Sequence, residues 1–135
     1  MQATELRIGN IITDVFSENA TPFEVVRFTT KRVWYKKGKA VYNCSIENLR
    51  GVLLTQDLLL ECGFHKVYNE TYEMWEHNIA IFDGISYFVL YSFSEGCFCF
   101  FDFRETPIAQ GIEYVHQFQN LYYALTNTEL KINTN

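Results

Sequence analysis

The chain has 135 residues, 48% of them hydrophobic and 17% aromatic, with seven glycines and two prolines. That composition excludes a disordered, collagen-like or low-complexity chain and suits one domain or two very small ones. A formal charge of −5 excludes a molecule that is basic as a whole, so contact with a polyanion would have to be local.

Leu6, Ile8, Ile11, Ile12 and Val15 predict a first strand, bent at Gly9. Residues 23–28 are β-branched and aromatic and read as a second strand. Residues 32–36 alternate as a third, Lys37-Gly38-Lys39 is a tight hairpin, and residues 40–44 return. Four or five short strands in this space predict a small SH3-like antiparallel sheet. Thr55 is placed to cap a short helix over 55–62, Asp57 complements its positive end, and Gly63 suits its left-handed exit. Runs at 64–68, 72–76, 79–82, 87–93 and 97–103, separated by turn residues, predict an antiparallel β-meander. Ile112, Val115, Phe118, Leu121, Tyr122 and Leu125 form one apolar stripe of a long helix over 112–126, ended by Asn127. That stripe is expected to lie on the meander.

The fold expected is therefore α+β: a small β-barrel-like subdomain in 1–54, then a short helix and a β-meander packed by a long C-terminal helix in 55–135, the two forming one compact unit. The N-terminus lacks the layout of a signal peptide, and the apolar run 85–103 is too interrupted to span a membrane. A cytoplasmic protein is expected, with Cys44, Cys62, Cys97 and Cys99 as thiols.

Charge is unevenly placed. Six of the eleven basic residues fall between Arg27 and Lys39. Arg27, Lys31, Arg32, Lys36, Lys37 and Lys39 interleave with Trp34, a pattern that can follow a phosphate backbone and stack on bases. The competing reading is a solvated hairpin whose lysines discourage edge-to-edge pairing.

Signals for chemistry are weak. Cys97 and Cys99 would share one face of a strand about 7 Å apart. Zinc would need two further ligands from Cys44, Cys62, His65 or His77, and no second pair stands at finger or ribbon spacing. No metal and no cofactor is expected. No nucleophile elbow, phosphate loop or dinucleotide fingerprint is present. Cys62, at the negative end of its helix, would have a raised pKa. No catalytic residue is assigned, and the chain is read as leaning away from an enzyme.

On the last helix, His116, Gln119, Asn120 and Tyr123 stand at spacings of three and four and share one polar face. Amides, an imidazole and a phenol there could bind a ligand or partner, or else satisfy neighbouring backbone groups.

Three blocks carry a resemblance. They are Glu5-Leu6-Arg7-Ile8-Gly9-Asn10; residues 49–59 followed by Cys62-Gly63-Phe64; and residues 114–126 followed by Glu129-Leu130. The set resembles a family of small uncharacterised proteins of anaerobic gut bacteria and their phages. Members begin with LRIGN, open a helix with GIPLT and end with VHQLQNLYFALT. This chain departs at Leu54, where the family has Pro, and at Phe118 and Tyr123, where it has Leu and Phe. The resemblance implies a phage or mobile-element setting and no particular mechanism.

Together these readings predict a non-enzymatic interaction protein that binds a host protein or small ligand through His116, Gln119, Asn120 and Tyr123. The alternatives are a nucleic-acid-binding accessory protein using the hairpin 27–39, and a pocket protein for a small nucleotide-like ligand. The abundance of Phe and Tyr adds the expectation of a homodimer.

Overall fold

Strands form where β-branched and aromatic residues cluster, and the turns between them fall on residues suited to bending. In the computed structural model, which describes residues 1–17, 19, 21–67, 74–78 and 86–132, five strands make a first sheet. They are β1 (Ile11–Asp14), β2 (Phe23–Phe28), β3 (Arg32–Lys37), β4 (Ala40–Ser45) and β5 (Leu49–Gly51). Their order across the sheet is β4-β3-β2-β1-β5, every neighbour antiparallel, with a 3-10 turn at Ile46–Asn48 leading into β5. This is the arrangement of an SH3-like sheet.

Two local devices shape it. Gly9 has φ +92, a conformation that side chains oppose, and it bends the segment before β1 where the sequence predicts a bulge. Thr29 turns β2 into β3, its Oγ1 accepting from the Arg32 N–H at 3.1 Å. The inner face gathers Leu6, Ile12, Phe23, Val25, Val33, Tyr35, Cys44 and Leu49 into one core. Phe23 stacks on Tyr35 with centroids 4.9 Å apart, and the Tyr35 hydroxyl donates to Asp14 Oδ2 at 2.7 Å. Burial would raise the Asp14 pKa, but hydrogen bonds from Tyr35 and Ser17 and the backbone N–H of Phe16 outweigh it and hold the carboxyl below its usual range.

Helix α1 (Gln56–Glu61) has Thr55 as its N-cap, the Thr55 Oγ1 accepting from the Leu58 N–H at 3.2 Å, and Gly63 follows with φ +96. A second antiparallel sheet then runs β6 (His65–Val67), β7 (Met74–Asn78), β8 (Ser86–Ser92), β9 (Cys97–Phe101) and β10 (Pro107–Ile112), in the order β10-β9-β8-β7-β6. The predicted strand at 79–82 lies outside the described residues. Phe64 meets Phe100 edge-on at 6.3 Å, and both are buried with Val89 and Phe98.

The α+β architecture matches the expectation, and one detail corrects it. Residues 107–112, expected as a connector and the helix's first turn, form β10; Gly111 at φ +68 and the pairing of Ile112 with Phe98 keep this segment in the sheet. The final helix, α2 (Val115–Thr126), starts three residues later than predicted, with Gln117 Oε1 reaching back to accept from the Tyr114 N–H at 3.0 Å. Asn127, at φ +54, ends it. Helix α2 is shared between two compact units. The chain divides into one compact unit of residues 1–53 with Tyr114–Tyr123 and the tail from Thr128, and another of Leu54–Glu113 with Ala124–Asn127. Each unit is discontinuous in sequence. Most of α2 nevertheless belongs with the first sheet, because its polar residues are tied to the start of β1. No described helix is long and apolar enough to cross a membrane.

Candidate functional site

The bend at Gly9 delivers Asn10, 1% exposed, beneath α2. Asn10 Oδ1 accepts from the Arg7 N–H at 2.7 Å, and its Nδ2 donates to Asn120 Oδ1 at 2.9 Å. Gln119, 2% exposed, accepts from the Ile11 N–H at 2.8 Å and donates to the Gly9 carbonyl at 3.1 Å. Its Nε2 also lies 3.4 Å from the Leu130 carbonyl. Asn120 Nδ2 donates to the Glu5 carbonyl at 2.9 Å. Three side-chain amides thus stitch α2 to the segment before β1 and to the C-terminal tail.

This overturns the expected outward edge. Of the four predicted binding residues, Gln119 and Asn120 spend their amides on internal groups and His116 is 3% exposed. The reason is physical: buried backbone groups beside a bent strand need partners, and the amides supply them. Tyr123 is half-buried and carries the Arg7 guanidinium on its ring, 3.7 Å from the centroid. His116 stacks on Tyr114 at 5.8 Å, and its buried Nδ1 has no hydrogen-bond partner among the described residues. Burial pushes the His116 pKa down despite nearby Glu5, which favours the uncharged ring.

Beside this network opens a cleft of about 870 Å³. Leu6, Ile11, Phe28 and Leu130 give it an apolar lining, and Gln119 closes one wall. Three cations, Arg7, Lys36 and Lys131, stand around it against Glu24 and Glu129. Arg7 pairs with Glu129 through Nη2, while its buried Nη1 has no partner among the described residues. Sequence reasoning missed Arg7, Asn10 and the tail 129–131 as site residues. Except for Lys131, their signal was present in the first and third resemblance blocks, which the fold brings together. A second cleft of about 540 Å³ lies between Glu5, Arg50, Tyr114 and His116.

The basic hairpin is placed by register. Ile11 pairs with Glu24, Glu24 with Lys36 and Lys36 with Val41, so these four share one face, opposite the core. Arg27, Trp34 and Asn43 form the next row on that face. The Arg27 guanidinium lies over the Trp34 ring at 4.6 Å, and Arg32 donates to Asn43 Oδ1 at 2.6 Å. Lys36 stands 4.0 Å from Glu24. Lys31 and Lys39 are exposed beyond the ends of β3, and Lys37 belongs to the other face, 5.7 Å from the Phe23 ring. Of the seven predicted nucleic-acid residues, the structure therefore gathers Arg27, Arg32, Trp34 and Lys36 on one face.

The cysteines are free thiols, Cys44 on β4, Cys62 at the end of α1, and Cys97 and Cys99 both on β9. Burial raises the pKa of Cys44 in the first core, and burial with the neighbouring Glu61 takes Cys62 up to about 11. Burial and a contact from Cys97 Sγ to Glu95 Oε2 at 3.6 Å raise Cys97. Among the described residues no three or more His, Cys, Asp or Glu side chains gather to hold a metal; the His77 side chain lies outside the described ones. No protein-family model, no curated protein and no solved structure matches this chain.

Proposed function

We propose that the chain is a non-enzymatic binding protein of phage or mobile-element type, and that its N-terminal unit takes a small nucleotide-like ligand in the cleft beside Arg7. One observation carries the reading: three cations, Arg7, Lys36 and Lys131, line this cleft against two carboxylates, Glu24 and Glu129. A phosphate in the cleft meets a lining with one more cation than carboxylates, and hydrogen bonds between ionised groups are the stronger ones. Lys36 and Lys131 add attraction for a phosphate, and the apolar lining suits a flat base. Glu24 offers an acceptor for a ribose hydroxyl or an exocyclic amine. The raised thiol pKa values of Cys44, Cys62 and Cys97 weigh against nucleophilic catalysis at neutral pH. A cytoplasmic setting would keep these thiols reduced.

The test is thermal unfolding with the four ribonucleoside 5′-monophosphates, one at a time. At a concentration of about a hundred times Kd, the preferred nucleotide should stabilise the fold by roughly 2.7 kcal/mol. The corresponding nucleoside, lacking phosphate, should do far less. Lys131→Gln should weaken the response and Arg7→Gln should remove it. If no nucleotide stabilises the protein, or the variants respond as the wild type does, the cleft reading fails.

A further inference from the structure

We infer that the face of β2, β3 and β4 opposite the core is a platform for single-stranded nucleic acid, continuous with the cleft through Lys36. The inference extends the cleft reading from one nucleotide to a strand, with Lys36 common to both.

Charge complementarity supports it first. The N-terminal unit carries nine Lys and Arg against six Asp and Glu, a net +3, while the other unit is at −8. Within that unit Arg27, Arg32 and Lys36 stand on one face, and Glu24 is the carboxylate nearest them in the register. Polymer phosphates are thus attracted to one side of one unit, although the molecule as a whole is acidic.

Spacing supports it next. Arg32, Trp34 and Lys36 alternate along β3, which sets like-facing side chains about 6.6 Å apart. Stacked nucleotides in a duplex strand rise only about 3.4 Å. Arg32 and Lys36, four residues apart, stand about 13 Å apart, so an extended, unstacked strand can place alternate phosphates by them and leave a base over Trp34 between. The base finds a π surface there. Arg27 and Trp34 are already stacked on one another, and both the guanidinium plane and the indole are surfaces on which bases stack. Val41, 58% exposed on the same face, extends the apolar area toward the sheet edge, where β4 has no outer neighbour.

The experiment measures binding of a fluorescein-labelled oligothymidylate of about 12 nucleotides, a length within the usual site sizes. A duplex of equal length and polyglutamate serve as the other arms, each titrated from low to physiological salt. The oligonucleotide should bind more tightly than the duplex, with a log–log salt slope of about −2 from three cations. Trp34→Ala should weaken binding about tenfold with the slope unchanged, and Trp34→Phe should restore most of it. Arg32→Gln should make the slope shallower by about 0.7.

The inference is overturned if the oligonucleotide does not bind, if the duplex binds equally well, or if Trp34→Ala is silent. Equal capture of polyglutamate also overturns it, as simple ion exchange. Oligonucleotide binding without stabilisation by any mononucleotide would remove the cleft reading alone. Mononucleotide stabilisation without oligonucleotide binding would remove this inference alone.

Discussion

Replacing Gln119 with leucine is expected to destabilise the N-terminal unit by roughly 3–4 kcal/mol, read as a lower midpoint in urea unfolding. The volume is nearly kept, so the loss is of hydrogen bonds and not of packing. Three groups lose their partner: the Ile11 N–H, the Gly9 carbonyl and the Leu130 carbonyl. Each buried polar group left unpaired costs about 1–3 kcal/mol, with some relief where relaxation lets in water. The Ile11 N–H has little chance of that relief, because β1 is buried along its whole length. Asn120→Ala should cost less, since Asn120 is only half-buried and one of its two bonds is to the carbonyl of exposed Glu5. A Gln119→Leu loss below about 1 kcal/mol would mean that apolar contacts, and not the amide tie, hold α2 in place.

Gly51→Ala is expected to cost about 2 kcal/mol or more through overpacking. Gly51 pairs with Ile12 in the β1–β5 ladder, and the Tyr114 side chain packs against it. An added Cβ would stand 2.4 Å from Tyr114 Cγ and 2.5 Å from Cδ1, distances that real side chains do not occupy. The ring cannot swing clear on a loose backbone. Tyr114 bridges to Leu53, its N–H is held by Gln117, and the next N–H, of Val115, donates to the Val52 carbonyl at 2.8 Å. In a double-mutant cycle, Tyr114→Ala should absorb part of the Gly51→Ala penalty by removing the two ring contacts. Strict additivity of the two substitutions would show that the crowding lies elsewhere.

These two residues also mark what the sequence could and could not say. The first sheet was legible because β-branched and aromatic residues cluster in its strands and its turns carry Gly38 and the Thr29-Thr30 pair. The α1 cap at Thr55 was legible for the same reason: cap and turn chemistry is local. The docking of α2 was not. Its apolar stripe showed that it must cover a sheet, but a stripe does not say which one. What ties most of α2 to the N-terminal unit is its polar side, Gln119 and Asn120 meeting Gly9 and Asn10, more than a hundred residues away. The polar face of α2 was recognised as a set, yet spacing alone cannot separate a face offered to a ligand from one spent on backbone groups. Residues 107–112 were misread because β10 is irregular, with register shifts on both sides of Ala109, so no period-two pattern survives. The cleft was illegible for a further reason: its wall combines the LRIGN segment with the tail, which only the folded chain brings together.

The most direct test of the cleft as the ligand site is an amide ¹H–¹⁵N correlation map of the labelled protein, recorded while the stabilising mononucleotide is added. The account predicts that shifts concentrate at residues 6–11, at Gln119 and at 130–131, and saturate with a single Kd. Shifts confined to residues 54–113, or a spectrum unchanged at saturating nucleotide, would contradict it.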